Sequence, residues 1–299
     1  MLEARYLKQE SIALESGGKS GLLYRFPELA DRGFEYILSG SDWDMSLAAD
    51  QPATTAEGKA PFKAVKEQFS LRQDSEPKDL VIMRQCHSSR LIIPLREAAY
   101  SRARVVDFMP EAESVNQFPT ELEAEQLGFG YRYHSVDGIL TSEPELITAS
   151  THADCAPVII FDQRQKLLLN LHSGWRGTLA LFPLHALNYL TKYHAVELAD
   201  LIMVLGPMIG AEDYEVEADV AEPFMQSFGQ NSGVIKRRSE LKYELNLGLA
   251  ISLQAEKFGL QNGQLFRVGG STFAEPAYHS YRRDGRERFG LMMSFTAIN

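Results

Sequence analysis

Apolar residues fall into short blocks of strand length, separated by polar turns. Leu80 to Arg84, Gly138 to Leu140 and Leu146 to Ala149 predict strands, and the runs Val158 to Phe161 and Leu167 to Leu171 flank the polar stretch Asp162-Gln163-Arg164-Gln165. Two apolar runs around such a stretch predict a β-hairpin. Helical spacing, with apolar residues three and four apart, appears over Leu179 to Tyr193, Val220 to Phe228 and Leu247 to Phe258. Pro183 lies inside the first of these, so that helix is kinked or starts later than its pattern. Ala49 to Glu76 reads as a loop followed by one short helix around Phe62, Val65 and Phe69, and Asp107 to Gln126 reads as a second loose region. Neither is a clean linker, because motifs that belong together lie on both sides. The pattern predicts one mixed α/β (α+β) domain over residues 1–299 that is not doubly wound.

The hairpin carries the first chemistry. With Gln163 and Arg164 at its tip, Cys155 and His172 face each other directly. Opposed residues on antiparallel strands have Cβ atoms about 4.5–5.5 Å apart. That lets a thiolate and an imidazole reach one ion at roughly 2.3 and 2.0 Å. His87, at the end of the Leu80 to Arg84 strand, is the candidate third ligand. Two histidines and one cysteine leave a zinc ion with an open position, which is the arrangement of a catalytic site. His152 is a rival that points away from Cys155 if its segment is extended, and Cys86 is expected to be a buried thiol facing away from His87. His134, His185, His194 and His279 read as ordinary core or surface residues.

Composition narrows the function. The chain has 299 residues, 44% of them hydrophobic, and a formal net charge of −10. That acidity, with no dense Lys/Arg stripe, argues against nucleic-acid binding. Arg282, Arg283, Arg286 and Arg288 cluster, but Asp284 and Glu287 interrupt them, so they read as a solvated turn. No apolar run approaches the roughly 20 residues needed to span a bilayer. The N-terminus has no signal-like pattern, so a cytoplasmic protein without membrane partners is expected.

Thr151-His152-Ala153-Asp154-Cys155-Ala156-Pro157, followed by His172-Ser173-Gly174-Trp175-Arg176-Gly177, resembles the YfiH-like family, also called the laccase-domain or multicopper polyphenol oxidase family. Gln85-Cys86-His87, Gly206-Pro207-Met208-Ile209-Gly210 with Tyr214-Glu215-Val216, Ser280 to Asp284 and Met293-Ser294-Phe295 resemble further motifs, so the likeness runs from about residue 80 to the end. The resemblance implies zinc held by His87, Cys155 and His172, in a single domain whose β-sheets pack between helices. It also implies purine-nucleoside chemistry: phosphorolysis of purine nucleosides, deamination of adenosine, or both. An older assignment makes such proteins copper-dependent polyphenol oxidases, and a metal-binding member without catalysis is a further alternative.

On this reading Asp154 is the candidate general acid/base, or else orients a ligand. Arg176, in a turn before a helix whose N-terminus suits an anion, is the candidate phosphate contact. Trp175 stacks on a base or packs in the core. Gln85, Ser271 and Arg282 lie in matched motifs and are candidate substrate contacts, the substrates being a nucleoside and phosphate. Ser88 and Ser173 replace the family's usual glycine and alanine, and Ser271 stands where a cysteine is common. Ser46-Leu47-Ala48-Ala49 resembles the family's Ser-Leu-Asn-Leu only faintly, and an upstream glycine pair is missing. These departures spare the metal ligands and fall on the surroundings of the substrate.

Overall fold

Each strand-length block forms a strand in the computed structural model, longer than its apolar run: Asp79–Arg84, Gly138–Thr141, Leu146–His152, Ala156–Asp162 and Leu167–Ser173. The structure describes residues 2–16, 19–45, 62, 64–69, 79–108, 121–127 and 130–299. The segment 46–49 lies outside them, as does most of 49–76, although residues 64–69 are helical as expected and Phe62, Val65 and Phe69 are buried. At the end of the second loose region Glu121–Glu123 and Glu125–Leu127 each pair at a sheet edge, and its residues 109–120 lie outside the described ones.

Among the described residues the strands build a nine-stranded and an eight-stranded sheet, both mixed, and a small three-stranded one. Alternation along one strand shows how the layers stack. Leu167, Leu169 and Leu171 pack with Phe182, Leu187, Leu190 and Ile251 of the helices Phe182–His194 and Leu247–Phe258. Leu168, on the other face, packs with Tyr36, Leu38 and Met292 of the eight-stranded sheet. That sheet's far side, through Ile82, Ala149 and Phe295, receives Phe62, Val65 and Phe69. The two sheets are thus packed face to face between helical layers, as the resemblance implies.

The helices begin and end where their caps dictate. Leu181 adopts a left-handed conformation (φ 56), and Phe182–His194 starts after it with Pro183 in its first turn, where a missing N–H costs nothing. Leu247–Phe258 opens on Asn246, whose Oδ1 accepts from the Leu249 N–H at 2.9 Å, and closes on Gly259 at φ 114.

A polar seam crosses the apolar space between the sheets. Asn170 donates from Nδ2 to the carbonyls of Thr148 and Ser294, both at 3.3 Å, and its Oδ1 accepts from Ser150 at 2.9 Å. All four residues are buried. The seam continues through the Ser294 hydroxyl to Tyr36 and His152, each at 2.8 Å. His152 brings it to the wall of a cavity of about 630 Å³.

Candidate metal centre and its cavity

The hairpin register differs from the expected one by two residues. Pro157, not Cys155, stands opposite His172, and the loop is residues 163–166. The cause is local. Asp162 Oδ1 accepts the N–H groups of Arg164 and Gln165 at 2.8 and 2.7 Å, and Lys166 closes the loop at φ 57. A slip of two leaves every side chain on its face, so Cys155 still reaches His172, diagonally.

His87, Cys155 and His172 converge, with their ligand atoms all within 4.8 Å of one another. Cys155 Sγ stands 3.8 Å from His87 Nε2. Sulfur and nitrogen ligands sharing a tetrahedral ion lie about 3.5 Å apart, so small side-chain movements suffice. Gly174 makes this approach possible: a Cβ there would stand 2.7 Å from Cys155 Sγ and 3.0 Å from His87 Cδ2.

The donor set fits a cation. His172 Nδ1 faces the Thr151 carbonyl at 2.9 Å, which makes that nitrogen the donor and turns Nε2 inward as a lone pair. Nε2 is buried and has no partner among the described residues. Burial holds the His172 imidazole down to about 4, against the pull of Asp137, so it stays in the neutral form that ligates. Burial, with the charges of Asp154 and Asp137, pushes the Cys155 thiol up to about 12 in the absence of a cation. A bound cation reverses that balance and makes the thiolate the stable form.

Three supporting residues position these ligands. Asp137, fully buried, accepts the N–H groups of Cys86, His87 and Ser88 at 3.3, 3.0 and 2.7 Å, and the Ser88 hydroxyl at 2.7 Å. The segment needs such an anchor, because His87 sits at φ 61. Gln85 is committed to Thr151, donating from Nε2 to its carbonyl and accepting its hydroxyl at 2.7 Å, so its amide fixes the oxygen that orients His172. Asp154, at φ 84, has both oxygens engaged: Oδ1 accepts from Thr272 Oγ1 at 2.6 Å and Oδ2 from the Arg282 N–H at 2.7 Å. Sequence reasoning singled out neither Asp137 nor Thr272. A lone aspartate before a glycine gives no signal that its carboxylate will cap a loop 50 residues upstream.

The cluster opens on a cavity of about 630 Å³. Arg84, Arg176 and Arg282 line it, with Trp175, Tyr214, Tyr281 and Phe289 as aromatic walls. The Arg176 guanidinium lies over the Trp175 ring at 4.2 Å, and that of Arg282 over Tyr214 at 5.5 Å. Burial raises the Tyr214 hydroxyl, which therefore stays protonated.

Several expectations need correction here. Cys86 is exposed rather than buried, since the turn at His87 carries it off the strand. The helix after Gly174 is only Trp175–Leu179, too short to act as an anion site by its N-terminus, so any anion is left to the guanidinium groups. The arginine cluster divides: Arg286 and Arg288 are exposed, Arg282 enters the cavity, and Arg283 clamps the carbonyls of Thr272, Phe273, Glu275 and Tyr278. Ser271 is not among the lining residues; its hydroxyl donates to Asp213 at 2.6 Å and accepts from the Gly210 N–H at 3.0 Å. His152 stays outside the metal cluster, as its spacing implied.

Known proteins resemble this chain in sequence over about half of its length and in fold over most of it. A Bacillus subtilis protein named purine nucleoside phosphorylase YlmD is 29% identical over 171 residues, covering 56% of this chain and 61% of that protein. A Bacteroides thetaiotaomicron purine nucleoside phosphorylase is 30% identical over 133 residues, covering 44% and 49%. The chain thus matches half to three fifths of these relatives' lengths. In fold it is similar to YlmD from Geobacillus stearothermophilus, with a TM-score of 0.71 at 20% identity over 97% of this chain and 100% of the other. It is also similar to a Bacillus licheniformis hypothetical protein YfiH, at 0.66 and 21% over 93% and 96%. The model of one family, described as multi-copper polyphenol oxidoreductase laccase, matches residues 53–299, the stretch that carries all three converging ligands, and to that family, which includes the YfiH-type proteins, this chain belongs.

Proposed function

We propose that this chain is a zinc-dependent purine nucleoside phosphorylase. The observation that carries the reading is the His87, Cys155 and His172 donor set opening onto a cavity with three guanidinium groups and four aromatic rings. In this reading those three residues hold the ion, which when bound supplies Lewis acidity at the cavity wall. The relatives named above as purine nucleoside phosphorylases point to the same substrate class.

In phosphorolysis a phosphate oxygen bonds to the sugar C1′ as the bond from C1′ to purine N9 breaks. Its electron pair goes to the base, which takes up a proton. The rings of Trp175, Tyr214, Tyr281 and Phe289 suit the faces of a purine. Arg176 and Arg282, each already stacked on an aromatic ring, suit the phosphate, because planar guanidinium groups bind its oxygens in pairs. Arg84 adds a third positive charge to the same cavity. Tyr214 brings a protonated hydroxyl to it. Asp154, with both oxygens already bonded, serves this site by holding the Cys155 loop against Arg282 rather than by carrying protons.

The test is incubation of the purified protein with inosine or adenosine, with and without phosphate. Free base and ribose 1-phosphate that appear only with phosphate support the reading. Inosine and ammonia from adenosine without phosphate would instead identify a deaminase. Phenol oxidation by protein carrying stoichiometric copper would replace the zinc reading altogether. One His/Cys cluster among the described residues speaks against that multicopper alternative.

A further inference from the structure

Phosphorolysis needs a proton for the departing base, and few side chains along the cavity can give one. Guanidinium and indole groups donate hydrogen bonds but keep their protons, which removes Arg84, Arg176, Arg282 and Trp175. His87, Cys155 and His172 are the candidate metal ligands. Asp154 has both oxygens engaged, and the Thr151 hydroxyl is committed to Gln85. His152 presents no open nitrogen, because Nε2 meets Ser294 Oγ and Nδ1 is buried. Two tyrosines are left. Tyr281 is 48% exposed, so solvent competes for its hydroxyl.

Tyr214 is better placed. The Leu245 N–H donates to its carbonyl at 3.0 Å and fixes its backbone. Its ring packs against the apolar cluster that includes Val216, Phe224 and Leu245, and the Arg282 guanidinium lies over it at 5.5 Å. The hydroxyl has no hydrogen-bond partner among the described residues and, unlike that of Tyr100, is not sealed in the core. The ionisable groups that act on it are those of Cys155, Arg282, Asp154 and Arg176, all of which line the cavity. It therefore faces the space between the metal ligands and the two guanidinium groups that suit phosphate.

We propose that the Tyr214 hydroxyl protonates N7 of the purine as the base leaves. N7 is the site because N9 still holds the breaking bond to C1′. Hydrogen phosphate bonds through one oxygen to C1′, and the electron pair of the C1′–N9 bond passes to the base. Tyr214 Oη gives its proton to N7 and takes one from the new phosphate ester, a group whose second ionisation lies at about 6. The products are the neutral base and ribose 1-phosphate, and the tyrosine ends as it began. The inference rests on the phosphorolysis proposed above.

The test compares inosine with 7-methylinosine, whose base already carries a positive charge and leaves neutral without a proton. Tyr214→Phe is expected to lower kcat for inosine by about 100-fold or more, the scale of general acid catalysis, and to leave 7-methylinosine within about threefold of wild type. Turnover of 7-methylinosine also shows that the variant is folded. An equal loss on both nucleosides would make the hydroxyl a structural group and overturn the assignment, as would an unchanged kcat for inosine. Single turnover of the wild-type protein needs no variant. In heavy water it is expected to slow with inosine and not with 7-methylinosine, and the same response to both counts against a proton donor. Wild-type protein that cleaves neither nucleoside in the presence of phosphate would instead refute the phosphorylase reading itself.

Discussion

Asp137 holds His87 in place by accepting its backbone N–H at 3.0 Å, and accepts the N–H groups on either side of it as well. A positive φ at a histidine is uncommon and persists only where the surroundings impose it. This contact therefore decides whether the third ligand faces the other two.

Asp137→Ala is expected to leave three backbone donors and the Ser88 hydroxyl without their acceptor. The loss in unfolding free energy is about 2–5 kcal/mol. Metal affinity falls by about 10–100-fold, as for other residues that orient a ligand. Denaturant unfolding and metal content per chain check both. A folded variant with wild-type metal affinity would show that His87 holds its conformation without this carboxylate.

Cys155→Ala is expected to abolish both bound metal and turnover while leaving the two-sheet fold intact. The thiol lies at the end of the hairpin and contributes little to the apolar layers. Elemental analysis of purified variant and wild type is the measurement, and wild-type zinc in the variant refutes the ligand assignment. Chelation of the wild type is expected to lower its Tm, since an ion that binds only the folded state at 100 times its Kd adds about 2.7 kcal/mol.

Arg176→Ala is expected to raise the KM for phosphate by about tenfold or more, the effect of losing one charge-assisted contact. The guanidinium stacks on Trp175 at the cavity wall and is exposed on its other side, so its removal leaves the core alone. Steady-state kinetics with phosphate varied at saturating inosine gives the answer. An unchanged phosphate KM would move the anion to Arg84 and Arg282.

Asn170→Leu is expected to destabilise the protein by about 2–4 kcal/mol, although the change is apolar and the site is buried. Its amide joins Thr148, Ser150 and Ser294 across the space between the sheets, and leucine removes all three hydrogen bonds from a buried polar setting. Thermal unfolding measures the loss. A variant as stable as the wild type would mean that the seam rearranges around the new side chain.

Much of this was legible along the chain, because hydrophobic period and proline geometry are local. The hairpin arms, the helix Leu247–Phe258 and the late start of Phe182–His194 follow from the strand-length apolar runs, from apolar residues three and four apart, and from Pro183. Cys155 and His172 were readable as a pair for a related reason: strand parity survives a register slip of two. The bend of the hairpin was not readable, because it depended on which backbone groups the Asp162 carboxylate would accept.

What tertiary structure alone decided is the state of groups whose partners lie far away in sequence. Asp137 acts on His87 from 50 residues away, and Gln85 reaches His172 through Thr151. Ser294 binds His152 from the far end of the chain. A sequence shows which side chains can hold a metal or donate a hydrogen bond. Whether a given atom is left unpaired, as His172 Nε2 and His152 Nδ1 are among the described residues, depends on every neighbour that folding brings to it, and no local pattern encodes that.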